Sequence, residues 1–143
     1  MNLFNIERAF RRKKERDWDY LFWAIDIHDV LFPGQYASDQ EFHPYNGSIE
    51  VLKWISDRSD QKIIIWTSSY SQHFDDVKKF FAKEHSVWLD FHNCNPICSN
   101  TDYADFTTKF YFNILLDDKA GFEGEKDWYL IKEELQRIGE WDD

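Results

Sequence analysis

The sequence has little of what marks secreted or membrane-spanning proteins. Its two cysteines, Cys94 and Cys98, are too few for a disulfide framework, and no second Cys or His pair stands at zinc-finger spacing. No nonpolar run approaches the roughly 20 residues that span a bilayer, and the N-terminus lacks the nonpolar core of a signal peptide. We therefore interpret the cysteines as reduced thiols and expect a cytoplasmic protein.

Positive charge is also scarce, and it is unevenly distributed. The chain has 17 Lys and Arg residues against 27 Asp and Glu residues, a formal net charge of −10. We therefore expect no membrane partner, and nucleic acid is disfavoured as a partner. Residues 1–16 run against this trend, because they hold six basic residues and two glutamates, a net charge of +4 that leaves −14 on the rest.

The basic N-terminal segment begins with nonpolar residues at helical spacing. Leu3, Phe4, Ile6 and Phe10 are typical of a short amphipathic helix. We favour a helix that packs on the domain or a solvated tail, and the alternative is a docking arm for an acidic partner or for phosphate. The chain is accordingly divided into a basic N-terminal arm or helix, residues 1–17, and a single domain, residues 18–143.

Nonpolar and aromatic side chains are abundant. Hydrophobic residues make up 43% of the chain and aromatic residues 19%, which is enough for a packed core. Four nonpolar runs indicate buried strands, and alternation of these runs with helical patterns predicts an α/β fold with a mostly parallel sheet and helices on both faces. The strands are predicted at residues 20–26, 62–67, 87–91 and 110–116. Helices are predicted to begin at Asn46 or Ser48 and at Ser71, and a final helix is predicted around residues 128–138. Irregular connections are predicted at residues 32–46 and 92–108.

Polar groups follow three of the predicted strands. Asp26 ends the first, Thr67 the second, and Asp117 with Asp118 the last. The carboxyl ends of parallel strands meet at one edge, where open α/β sheets place functional groups. Phosphoryl transfer needs a nucleophile, such as Asp26, and a cation such as Mg²⁺ held by oxygen ligands. Thr67 can donate to a phosphate oxygen, and Lys109 supplies positive charge.

The order of these groups resembles the motifs of the haloacid dehalogenase superfamily. The resemblance covers about residues 20–138 and leaves the basic N-terminus outside. It lies in a nonpolar strand followed by Asp26-Ile27-His28-Asp29-Val30-Leu31, a strand ending in Thr67-Ser68-Ser69, the lysine Lys109, and a strand ending in Asp117-Asp118-Lys119-Ala120. It implies a three-layer Rossmann-like domain, and the spacing of the motifs leaves no room for a large cap domain.

The resemblance also implies roles in catalysis. Asp26 would attack phosphorus and form an aspartyl-phosphate. Thr67, Ser68 and Lys109 would bind the transferring phosphoryl group. The implied function is a Mg²⁺-dependent hydrolase of phosphate monoesters.

The same resemblance implies the ligands of the metal. Mg²⁺ would be held by Asp26, by the backbone carbonyl of His28 and by one acid of the final pair. We favour Asp118 as the direct ligand, with Asp117 in support.

One residue departs from the family pattern. Phosphatases of the family carry a second Asp two residues after the nucleophile, and His28 stands there in this chain. An imidazole can act as acid and later as base, since its ordinary pKa of about 6.5 suits both tasks. The alternatives are a domain without turnover that binds phosphate or a protein partner, a different reaction, or acids that are purely structural. We interpret His73 as peripheral.

The expected substrate follows from the missing cap. An open site suits phosphate groups on small molecules and on large ones, so a nucleotide, a nucleic-acid end or a phosphoprotein is each compatible with it. The acidic body argues against extended contact with nucleic acid.

Overall fold

The computed structural model describes residues 2–33, 42–98, 100, 104–106 and 109–142, which form an α/β fold. Of the irregular connections predicted from the sequence, residues 34–41, 99, 101–103, 107 and 108 lie outside these ranges. Among the described residues, no helix is long and nonpolar enough to cross a membrane. The strands are β1 (Leu21–Ile25), β2 (Gln61–Ile65), β3 (Phe91–His92) and β4 (Ile114–Leu116), and the helices are α1 (Ile6–Glu15), α2 (Ser48–Ser56), α3 (Ser71–His85) and α4 (Asp127–Arg137), with short 3₁₀ turns at Leu3–Asn5 and Asp118–Ala120.

The described strands form a parallel sheet in the order β3-β2-β1-β4. Trp23 in β1 stands opposite Ile63 in β2 and Ile114 in β4, so β1 is flanked on both sides and all of its residues are buried. This confirms the prediction of a mostly parallel α/β sheet, and the arrangement is consistent with a Rossmann-like fold. It also brings the carboxyl ends of β1, β2 and β4 to one edge.

The predicted strand at 87–91 was largely wrong, since β3 shares only Phe91 with it, and β4 is shorter than the predicted 110–116. A polar side chain interrupts each ladder. The Asp90 carboxylate accepts the Ile63 backbone N–H at 2.8 Å, while the Asp90 N–H donates to the Ile63 carbonyl at 3.0 Å. In the same way, the Asn113 side-chain oxygen accepts the Phe22 backbone N–H at 2.8 Å, and the Asn113 N–H donates to the Phe22 carbonyl at 2.9 Å. In both cases a side chain takes the place of the backbone carbonyl, and regular pairing begins at the next residue.

The two faces of the sheet are covered differently. Leu21, Trp23 and Ile25 point into a large core that also contains the buried residues of α1, α2, α3 and α4. Phe22 and Ala24, on the opposite face, pack in a smaller cluster with Ile64, Phe110 and residues around them, and no helix of the described chain contributes to it. Helices on both faces are therefore not seen in the described ranges.

The connection from β3 to β4 explains this asymmetry. From β1 the chain adds β2 and β3 on one side, and α2 and α3 cross one face of the sheet. It then returns past β1 to add β4 on the other side. Because this last connection runs in the opposite direction, a right-handed crossover takes it over the face opposite α2 and α3. Its described residues carry no helix. Side chains just before β4, Phe110 to Phe112, cover that face instead.

Helix α1 contains most of the basic N-terminal run. Its nonpolar side, with Ile6, Ala9 and Phe10, is buried in the large core. Its basic side meets acids of the domain, with Lys13 Nζ 3.1 Å from Asp60 and Lys14 Nζ 3.1 Å from Glu140. The charge asymmetry of the sequence is thus partly neutralised within the fold.

Candidate metal and phosphate site

Three predicted metal ligands meet at the carboxyl edge of the sheet. Asp26 follows β1, and its backbone N–H donates to the Leu116 carbonyl at 3.0 Å, which extends the β1–β4 pairing by one residue. Asp117 and Asp118 follow β4. One carboxylate oxygen from each of the three residues lies within 4.8 Å of the others, and all three side chains are half-buried.

The crowding of these acids changes the protonation of Asp26. Burial raises the pKa of the Asp26 carboxyl, and the negative charge of Asp117 and a hydrogen bond with Asp118 raise it further. The Ile27 backbone N–H, which donates to Asp26 Oδ1 at 2.8 Å, acts in the opposite direction. The net result is a pKa of about 7. The metal-free protein therefore holds a proton where three negative charges would otherwise repel one another.

The donor set fits a hard divalent cation. Mg²⁺ prefers oxygen ligands at about 2.0–2.1 Å, so opposite ligands of one ion lie about 4.2 Å apart. Three oxygens within 4.8 Å of one another are near enough for one ion to gather, through side-chain movement that brings adjacent ligands to about 2.9 Å. The Asp117 carboxylate accepts the Lys119 backbone N–H at 2.9 Å, much as Asp26 accepts that of Ile27 at 2.8 Å, and the choice of Asp118 as the direct ligand stays a prediction.

Thr67 lies at the same edge, in the segment after β2. It is 7% exposed, and Asn93 fixes its backbone through two bonds, with the Thr67 N–H donating at 2.8 Å and the Thr67 carbonyl accepting at 2.7 Å. The Thr67 hydroxyl donates to Ser69 Oγ at 3.1 Å. Ser68 is exposed, with its backbone next to Thr67. No feature of the sequence pointed to Asn93, because its partner stands 26 positions away.

His28 lies in the turn after Asp26, and its ring contacts the segment after β2. Its Nε2 is 3.2 Å from Ser69 Oγ, and its ring stacks on His73 with centroids 5.2 Å apart and planes 12° from parallel. Burial lowers the pKa of His28, as does the neighbouring His73, while Asp29 raises it. The sequence analysis treated His73 as peripheral, whereas the structure places it directly against His28.

Lys109 stands beside the smaller cluster of nonpolar side chains. It is exposed and lines a cavity of about 210 Å³ with Ala24, Trp66 and side chains of the 110–115 segment. Within the described residues it makes no hydrogen bond or ion pair with Asp26 or Thr67, and its charge is not among the causes of the Asp26 pKa. Its assignment as a phosphate ligand stays a prediction.

Tyr45 is a neighbour of the site that the sequence did not indicate. Burial raises the pKa of its hydroxyl, and so do the negative charges of Asp29, Glu125 and Asp118, which places the phenol among acids. The ring packs on Gly124, where a Cβ would stand 2.4 Å from the ring and 2.8 Å from the Asp29 carbonyl oxygen. Gly124 is thus needed for this close approach.

The raised pKa of Asp26 predicts how stability depends on pH without metal. The unfolded chain releases this proton near its ordinary pKa of 3.8, whereas the folded protein holds it to about 7. The contribution of this group is therefore fully present below pH 4 and is lost as pH rises to about 7. The full difference corresponds to ~4 kcal/mol, and solvent screening at a half-buried carboxyl reduces it to ~1–2 kcal/mol.

Asp26→Asn should accordingly raise the free energy of unfolding at pH 8 by ~1–2 kcal/mol and change it little at pH 4. Urea unfolding in EDTA at both pH values measures this. Asp75→Asn, at an exposed position of α3, is the matched control. If the free energies of unfolding of Asp26→Asn and wild type differed by the same amount at pH 4 and pH 8, the prediction would be contradicted.

Comparison of the chain with protein-family models, with curated proteins and with solved structures finds no match. The assignment of function therefore depends on the four sequence motifs and on the positions of the residues described above.

Proposed function

We propose that the protein is a Mg²⁺-dependent phosphatase that hydrolyses phosphate monoesters through an aspartyl-phosphate on Asp26, and that its fold is a small, uncapped domain of the haloacid dehalogenase type. The observation that carries the proposal is the convergence of Asp26, Asp117 and Asp118 within 4.8 Å at the carboxyl edge of a parallel sheet. Thr67 and His28 are joined at the same edge through Ser69.

The residues can divide the reaction among them. A Mg²⁺ held by Asp26, Asp118 and the His28 carbonyl would neutralise charge on the phosphate and keep Asp26 ionised. The Asp26 carboxylate attacks phosphorus, the bond to the leaving oxygen breaks, and the His28 imidazolium gives that oxygen a proton. Thr67 donates to a phosphoryl oxygen. Neutral His28 then takes a proton from the water that hydrolyses the aspartyl-phosphate, and inorganic phosphate leaves.

Hydrolysis of p-nitrophenyl phosphate tests the proposal most directly. We expect turnover with Mg²⁺ that is lost in EDTA and restored by added Mg²⁺. Calorimetric titration with Mg²⁺ measures metal binding separately from turnover. Failure to hydrolyse any member of a broad panel of small phosphates, phosphopeptides and nucleotides, with magnesium binding intact, would refute the phosphatase.

One observation favours a second candidate, a domain that binds phosphate or a phosphorylated partner without turnover. Lys109 makes no hydrogen bond or ion pair with Asp26 or Thr67 in the described residues and lines a cavity beside Trp66 and Phe110 instead. Binding of inorganic phosphate in the presence of Mg²⁺, together with the absence of turnover across the panel, would establish this candidate.

Exchange of His28 for the family's usual residue separates a working site from a weakened one. We expect His28→Asp to lower kcat about tenfold or more, because an aspartate is too short to keep both the Ser69 hydrogen bond and the His73 stack. Steady-state kinetics with phenyl phosphate measures the effect. His43→Asp, at an exposed position, controls for added negative charge. A large rise in activity in His28→Asp would show instead that His28 marks a weakened site.

A further inference from the structure

Ser69 connects two residues to which the proposed function gives separate roles. It lies between β2 and α3 and is half-buried. Its hydroxyl is 3.1 Å from Thr67 Oγ1 and 3.2 Å from His28 Nε2. Its backbone N–H also donates to Thr67 Oγ1, at 3.1 Å. One side chain thus bridges the segments that follow β1 and β2.

His73 restrains the same imidazole from another direction. It stands in the first turn of α3, and its backbone N–H donates to the Tyr70 carbonyl at 3.0 Å, so its position is set by the helix. Its ring covers one face of His28, and the Phe42 ring meets His73 at 6.1 Å. The ring of His28 is therefore held at one nitrogen by Ser69 and on one face by His73.

We propose that Ser69 and His73 are positioning residues, which fix the His28 ring and the Thr67 hydroxyl in the orientation that phosphoryl transfer requires. The inference rests on the proposed function, because it gives these residues a purpose only if His28 transfers protons and Thr67 binds phosphate. Ser69 is the last residue of the Thr67-Ser68-Ser69 motif, where the resemblance gave it no role of its own, and His73 lies outside the motifs.

The Thr67 and Ser69 hydroxyls can respond to the binding of phosphate. A hydroxyl has one proton to donate, so Thr67 stops donating to Ser69 when it donates to a phosphate oxygen. The Ser69 backbone N–H still holds Thr67 Oγ1, and the Ser69 hydroxyl is left with His28 as its partner. Arrival of phosphate at Thr67 therefore changes the hydrogen bonding between the Ser69 hydroxyl and His28 Nε2.

Leaving-group dependence tests the kinetic part of the proposal. p-Nitrophenolate leaves without much help from an acid, whereas the alkoxide of 2-glycerol phosphate needs a proton in the transition state. We expect Ser69→Ala to lower kcat about tenfold or more with 2-glycerol phosphate and less than about threefold with p-nitrophenyl phosphate. Ser69→Thr, which retains the hydroxyl, should restore most of the loss, and Ser59→Ala, at an exposed turn, should behave as wild type. Equal losses on both substrates would overturn the positioning of His28 by Ser69.

A measurement without turnover separates this inference from the proposed function. Long-range ¹H–¹⁵N spectra of the metal-free protein at one fixed pH report the tautomer and hydrogen bonding of His28. We expect the His28 Nε2 resonance to move in Ser69→Ala and His73→Ala, to remain near its wild-type position in Ser69→Thr, and to shift when inorganic phosphate and Mg²⁺ are added to wild type. An unchanged resonance in both alanine variants would overturn the inference. Absence of turnover in wild type, by contrast, would refute the phosphatase and leave this spectrum to decide whether Ser69 and His73 hold the ring.

Discussion

Asp26→Asn is expected to abolish Mg²⁺-dependent phosphatase activity, lowering kcat/KM for p-nitrophenyl phosphate about a thousandfold or more. An amide oxygen is a poor nucleophile, and loss of a nucleophile is among the most damaging changes an enzyme can suffer. The fold should survive, because the Asp26 bond to Leu116 uses the backbone and is unaffected by the side chain. Asp26→Asn should therefore lose its activity while gaining stability at pH 8, as expected where acids are crowded for function.

The controls for this variant separate nucleophile from charge. Asp75→Asn removes one negative charge from an exposed helix position and should retain wild-type kinetics. Rapid-quench detection of a phosphorylated chain in wild type and its absence in Asp26→Asn would show directly where the phosphoryl group is carried. Asp26→Asn with more than about a tenth of wild-type activity would refute the assigned nucleophile.

Trp128→Ala is expected to cost ~3–5 kcal/mol of unfolding free energy, the largest loss we predict for any single substitution. Trp128 is 0% exposed, and its ring meets Phe122 edge to face at 5.0 Å. Its Nε1–H donates to the Val30 carbonyl at 2.8 Å, which ties α4 to the turn that carries His28. The alanine variant leaves a cavity and an unpaired carbonyl together.

Urea unfolding of matched variants measures this effect. Tyr129→Ala, the next residue along α4 and half exposed, should change stability by less than ~0.5 kcal/mol. Trp128→Phe, which loses the hydrogen bond and part of the ring, should lie between them at ~1–3 kcal/mol. Similar losses in Trp128→Ala and Tyr129→Ala would mean that Trp128 does not hold the loop in the way described.

The sequence predicted the centre of the fold better than its edges. Continuous nonpolar runs identified β1 and the Ile63–Ile65 part of β2, because a strand buried on both faces is nonpolar at successive positions. The outer strands were predicted too long. Asp90 and Asn113 each use a side-chain oxygen as acceptor where a backbone carbonyl would otherwise pair, and the pattern of nonpolar residues does not show this. The one-sided placement of the helices also lay beyond a pattern that records where helices occur and not which face they cover.

The candidate site divides in the same way. Asp26, Asp117 and Asp118 could be placed together because strand ends in a parallel sheet share an edge, whatever the loops do. Ser69, His73 and Tyr45 could not, because each reaches the site through the conformation of a loop or a helix start, with partners distant in sequence. Lys109 was assigned by its order in the chain alone, and order does not determine where a side chain after an irregular connection points.

The sheet face on which the described residues place no helix has a consequence for how the protein opens. Phe22 and Ala24 are shielded there by Phe110 and its neighbours, which belong to an irregular segment and not to a packed helix. That segment can detach at the cost of the small cluster and of its hydrogen bonds to Phe22 and Asn95, while the core shared by the helices stays intact. Amide protons beneath it should therefore exchange with solvent through a local opening, well before those of α2 and α4 exchange through global unfolding.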